Sequence, residues 1–194
     1  MPEQIGLLPA PGEDASSALA LINTEIHPRG ERVDLLPDGR ALARWLRTRG
    51  LTSSRRASVP DEDLERMRRL RAAIRAAFTA RAAGRRPPRA ALTTINGAAA
   101  RLASAPRLRW GDDGPSRETV WGDAAGPADR AFAEIAASAI DTLLGDRGDR
   151  LRLCEAHGCD RMFIADHLRR RWCSRTCGDR VRVARHYRRR RHAG

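Results

Sequence analysis

Four cysteines, Cys154, Cys159, Cys173 and Cys177, are all that the 194-residue chain contains, and they sit in its last fifth with the spacing C-x4-C-x13-C-x3-C. Two close pairs separated by a returning loop suit a tetrahedral ion, because each pair offers two thiolates from one local turn. Four sulfur ligands close the coordination sphere and leave no position for substrate or water. The ion, read as one zinc per chain, is therefore structural and not catalytic. The pairs are looser than the common C-x2-C knuckle. Two other readings stand beside this one: disulfides, and four unliganded buried thiols. No charged segment followed by an apolar core opens the sequence at Met1-Pro2-Glu3-Gln4-Ile5-Gly6, so the expectation is a cytoplasmic chain whose thiols stay reduced.

Flanking residues support a small metal-stapled unit. Gly158 precedes Cys159 where a tight turn requires positive φ, and 161–165 read as a short strand ending at Asp166. The second pair opens a long helical run, whose unpaired N–H groups and positive dipole end favour thiolates. Knuckle, hairpin and helix together make a treble-clef-like finger. His157 enters the ligand set only if it displaces Cys154 or Cys159.

The run Trp172-Cys173-Ser174, Cys177-Gly178-Asp179-Arg180 and Val183-Ala184-Arg185-His186-Tyr187-Arg188-Arg189 resembles the C-terminal zinc finger of the bacterial CGNR family. Leu153-Cys154, Cys159, Phe163 and Asp166 match its first knuckle and strand. The resemblance implies an N-terminal ABATE domain and a stress-responsive transcription regulator. The phrase Leu19-Ala20-Leu21-Ile22-Asn23-Thr24, with Trp45-Leu46 and Gly50-Leu51, is similar to the opening of such domains. One residue departs from the pattern: the Asn of the family name is Asp179 here, and an ionised Asp cannot donate a hydrogen bond to phosphate or base.

Charge is as uneven as cysteine. The chain has a net charge of +13 with no lysine, and residues 150–194 hold 14 arginines against four acids, ten of those thirteen charges. That polarity suggests a polyanion at the C-terminal end. Projected at 100° per residue, Val181, Val183, Ala184 and Tyr187 share one side of the final helix. Arg175, Arg182, Arg185, His186, Arg189 and Arg190 gather opposite. The guanidinium fork matches phosphate oxygens and guanine edges, so Arg175, Arg182, Arg185, Arg189 and Arg190 are the candidate DNA contacts. RNA, acidic protein or anionic lipid are the alternatives. Arg171, Arg175 and Arg180 are candidates for merely neutralising a tetrathiolate.

The remainder predicts an α+β chain, predominantly helical. Residues 1–14 read as an extended, flexible arm. An ABATE-like helical domain spans 15–146, with one β-hairpin near 108–121 and the zinc finger at 150–194. Helices are expected from Ser16, from Asp38 to Gly50, from Pro60 to about Gly84, from Arg89 to Ala103, and from Pro127 to Leu144. Arg66, Arg68, Arg69, Arg71 and Arg75 read as a solvated face, and Trp110 and Trp121 as packing over the helices. The short linker at 145–150 predicts a finger close to the helix before it. Asn23 and Thr24 are candidate ligand contacts for an effector, with a local backbone role favoured. No nucleophile elbow, P-loop or dinucleotide fingerprint occurs and no apolar run is long enough to span a bilayer, so neither catalysis nor a membrane is expected. A thiol-based redox sensor and a homodimer stay open.

Overall fold

The computed structural model describes residues 8–27, 31–122 and 128–192, without the side chains of 187–189, 191 and 192. Six helices and three two-stranded antiparallel sheets precede a final long helix among these residues.

Helix α1, Ser17–Ile22, is capped by Ser16, whose hydroxyl accepts the Leu19 amide, and it is almost wholly buried. Strands β1, Glu25–Ile26, and β2, Val33–Asp34, form a pair that the sequence pattern does not announce, being two residues each. Helix α2, Gly39–Thr48, starts at Asp38, which accepts the Ala41 amide. The long α3, Asp61–Ala82, has Asp61, Glu62 and Asp63 in its first turn and buries Leu64, Met67, Leu70, Ile74, Ala77 and Phe78. Acids at that end complement the helix dipole. Helix α4, Arg89–Ala99, ends four residues earlier than expected, although Leu102 is still buried. Helix α5, Asp129–Leu144, adds Phe132, Ile135, Ala136 and Ala139; its expected start at Pro127 lies outside the described residues. These side chains make one core, and α3 runs through it.

Strands β3, Ser104–Gly111, and β4, Gly114–Trp121, form the expected hairpin around Asp112-Asp113. Trp110 does not pack over the helices as expected, whereas Trp121 is half-buried. Trp110 opposes Pro115 near the turn, whereas Trp121 opposes Ser104 at the base, so the register sets the rings at opposite ends. Trp110 is 75% exposed and Leu108 72%.

Of the five α3 arginines expected as a solvated face, only Arg69 is exposed. Arg71 is 2% exposed and makes paired bonds of 2.8 and 2.7 Å to Asp34, with Glu25 at 2.9 Å. Arg75 donates to the carbonyls of Ile22, Glu25 and Asp160. Arg66 lies over the Phe132 ring and pairs with Asp63 and Asp129. Buried guanidinium is tolerated only where carboxylates or carbonyls meet it, and β1–β2 supplies both carboxylates that meet Arg71. Helical periodicity could not show this, because the partners come from elsewhere in the chain.

A single turn, α6, Asp146–Asp149, fills the linker and leads into β5, Leu151–Leu153. Strand β6, Met162–Ile164, pairs with β5, and Leu151 and Met162 belong to the helical core. The finger thus rests chiefly on α3 and α1, not on α5 as the short linker suggested. The last helix, α7, spans Arg175–His192.

Residues 8–14, expected as part of a flexible arm, are turns bound to the finger. The Ile164 amide donates to the Pro11 carbonyl at 2.8 Å and Ala10 joins the finger's own apolar cluster. Gly12, at φ +92°, lies against Ile164, where a Cβ would approach to 2.7 Å. Only glycine fits both the backbone and the contact.

Candidate metal centre

The metal site is assembled from two backbone turns. In the first, Cys154 follows β5, and its amide donates to the Arg161 carbonyl. The chain then reverses through Gly158, at φ +68°, and the Cys159 amide donates to the Ala156 carbonyl. In the second, Ser174 caps α7: its hydroxyl accepts the Cys177 amide and its carbonyl accepts that of Gly178. Cys177 consequently sits in the first turn of the helix.

The four sulfurs lie within 4.8 Å of one another, with Cys159 to Cys173 and Cys173 to Cys177 each 3.7 Å. A tetrahedron with metal–sulfur bonds of about 2.3 Å has edges of about 3.8 Å. Those separations fit an ion and are far too long for a disulfide; all four cysteines are free. His157 is exposed and stands outside the cluster.

The protonation pattern points the same way. Cys154 is held down at about 2, first by the hydrogen bond it accepts from Cys159 and then by that from Cys173. Cys159 is pushed up to about 12 by donating to Cys154, and Cys173 is raised further by the same partner. Four thiolates cannot coexist in so small and buried a space without a cation. A divalent ion would expel the remaining protons and leave a doubly negative centre. Compensation is at hand: the Cys173 amide donates to Cys154 Sγ at 3.4 Å, and Arg180 Nη2 lies 3.7 Å from Cys177 Sγ. Of the three arginines considered for this duty, only Arg180 reaches a sulfur. Arg171 instead pairs with Glu155, and Arg175 is exposed.

A buried polar cluster fastens the finger to the helical domain. Asn23 donates to the Met162 carbonyl at 2.8 Å and to Glu13 at 2.6 Å, and its oxygen accepts the Met162 amide at 3.0 Å. Arg161 meets Glu13 at 2.8 Å, and the carboxylate also lies 3.6 Å from Arg49. Nearby, His27 Nδ1 lies 2.6 Å from Asp160, which also faces Arg75. Thr24 donates to the Leu21 carbonyl and accepts from Arg71. The candidate effector contacts Asn23 and Thr24 are thus 5% and 4% exposed, with their side chains engaged inside the protein. Glu13 and Arg161 escaped sequence reasoning, for they pair with each other across 148 residues.

Helix α7 is seated for less of its length than the projection implied. Cys177 and Gly178 are buried and Val181 is partly so, but 182–186 are exposed on every side and Val183 is 53% exposed. The helix therefore projects from the metal cage. Among the candidate contacts, Arg175, Arg182, Arg185 and Arg190 are exposed; the side chain of Arg189 lies outside those described. Asp179 pairs with Arg182 one turn on.

Two family models match the chain. Residues 15–146 match ABATE, described as "Putative stress-induced transcription regulator", and residues 150–190 match the CGNR zinc finger. No curated protein compared with the chain matches it. The chain belongs to the ABATE family and carries a CGNR zinc finger behind that domain.

Proposed function

We propose that this ABATE–CGNR protein is a non-catalytic, cytoplasmic transcription regulator that binds duplex DNA through α7. Zinc held by Cys154, Cys159, Cys173 and Cys177 fixes the helix. Sulfur-only tetrahedral ligation favours zinc among divalent ions.

One contrast carries the reading. On the helical domain most arginines of α3 are consumed by internal partners: Arg66, Arg68, Arg71 and Arg75 meet carboxylates, and of the five that read as solvated only Arg69 is exposed without one among the described residues. On α7, Arg175, Arg185 and Arg190 have no carboxylate partner among the described residues. Unspent guanidinium on a rigid, projecting rod is the electrostatic footprint of a nucleic-acid reader. No helix of the described residues is long and apolar enough to cross a membrane.

The helical domain would then report a signal to the finger across the Glu13–Asn23–Arg161 cluster.

Titrating salt against duplex-DNA binding by the zinc-loaded protein tests the proposal. Contact with four to six phosphates gives a log–log slope of roughly −3 to −6. A flat response, or no binding at low salt, would remove DNA as the partner.

A further inference from the structure

A second concavity adjoins the metal centre. The loop leading from β6 to Cys173 and the first two turns of α7 enclose an open cleft of about 290 Å³. Five arginines line it: Arg169, Arg170, Arg171, Arg175 and Arg182. No carboxylate does. Carboxylates meet three of the five: Asp166 holds Arg170, Glu155 holds Arg171, and Asp179 holds Arg182. Arg169 and Arg175 have no such partner among the described residues. Neutralising the sulfur cluster does not explain these side chains, since Arg180 performs that contact.

Shape adds to charge. Gly178 lines the cleft, and a Cβ there would come within 3.1 Å of the Trp172 ring and 3.3 Å of Arg182. The missing side chain lets the Trp172 ring pack against the helix and close that side of the cleft. The positive end of α7 contributes in the same place. At 100° per residue, Arg175, Gly178, Arg182 and Arg185 follow one another along a single stripe of α7, so the cleft is the start of the exposed basic face.

We propose that this cleft is a phosphate clamp for the nucleic-acid backbone: it seats one phosphodiester of duplex DNA between Arg169 and Arg175, and so sets where the duplex lies along α7. The inference rests on the DNA reading above and adds the anchoring point. Asp179 then acts as a built-in brake, because its carboxylate occupies Arg182 and opposes the incoming phosphate. Release of Arg182 strengthens the clamp.

The test uses the full, zinc-loaded chain with duplex DNA across a range of salt, metal content being checked for each variant. The double variant Arg169→Ala/Arg175→Ala should bind at least tenfold more weakly and lose about one to two from the magnitude of the salt slope. Asp179→Asn should bind several-fold more tightly, a gain that no folding defect can imitate. Arg107→Ala/Arg109→Ala, on the distant hairpin, should bind like the unmodified chain. If the unmodified chain binds DNA while the double variant and Asp179→Asn both match it, the clamp is wrong and the DNA reading stands. If the unmodified chain fails to bind, both fall. Inorganic phosphate, titrated alone, should bind no better than millimolar; micromolar binding lost in the double variant would assign the cleft to a free anion and overturn the proposal.

Discussion

The side-chain amide of Asn23 bonds to both main-chain groups of Met162, its oxygen taking the N–H at 3.0 Å and its nitrogen reaching the C=O at 2.8 Å. A side chain at the end of α1 thereby acts as a one-residue strand on the free edge of β6, and the Pro11 carbonyl continues it at Ile164. Edge groups buried without partners would be costly. Replacing Asn23 by Ala leaves two main-chain groups and part of Glu13 unpaired, and is expected to cost about 2 to 4 kcal/mol. Urea unfolding of the zinc-loaded chain measures it; a midpoint within error of the unmodified protein would show that the edge is not held there.

Asp34 gives a pH dependence whose sign is determined. Burial raises its carboxyl, but the hydrogen bonds from Arg71 and the Leu36 amide, with the charges of Arg71 and Arg68, outweigh burial and hold it below the usual range. A depressed folded pKa means the stabilisation is complete above the unfolded value of about 3.9 and fades as pH falls through the folded one. Asp34→Asn should cost about 2 kcal/mol at neutral pH and flatten the acid limb of stability below the unfolded value of about 3.9. An unchanged acid limb in urea titrations would contradict the assignment.

Much of this architecture was legible because it is written locally. The caps at Ser16 and Asp38, the apolar stripe of α3, the turn at Gly158 and the paired cysteines are each set by neighbours a few residues apart. What stayed hidden depends on distant pairing. Arg71 reads as solvated until β2 brings Asp34 to it, Asn23 reads as a turn residue until β6 arrives, and Trp110 reads as packing over the helices until the hairpin carries it into solvent. The metal ligands were visible in their spacing. The arginine run 169–171 was visible too, but only the fold shows that it faces Arg175 and Arg182 across a cleft.

Gly12→Ala tests the cover that residues 8–14 form over β6. The φ of +92° and a Cβ 2.7 Å from Ile164 predict a loss of about 2 to 3 kcal/mol. Bound zinc should stay stoichiometric, because the metal ligands lie elsewhere. Faster proteolysis at the N-terminal segment, with intact metal content, is the expected signature; unchanged proteolysis would show that the segment tolerates a side chain there.

Metal loading should release protons. Cys159 and Cys173 are held protonated by their bonds to Cys154, so at least two protons leave when the ion binds, and affinity weakens as pH falls. Titration of zinc into the metal-free chain in weak buffer reads the release directly. Binding with no proton release would mean that the sulfurs were already ionised or do not take the metal.

X-ray absorption at the metal edge of the purified protein, read with its metal stoichiometry, bears most directly on the sulfur cage that holds α7. One zinc per chain with four sulfur neighbours at about 2.3 Å is the predicted result, and Cys173→Ser should lose both the ion and the DNA affinity. A metal-free protein with an ordered finger, or a first shell containing nitrogen or oxygen, would contradict it.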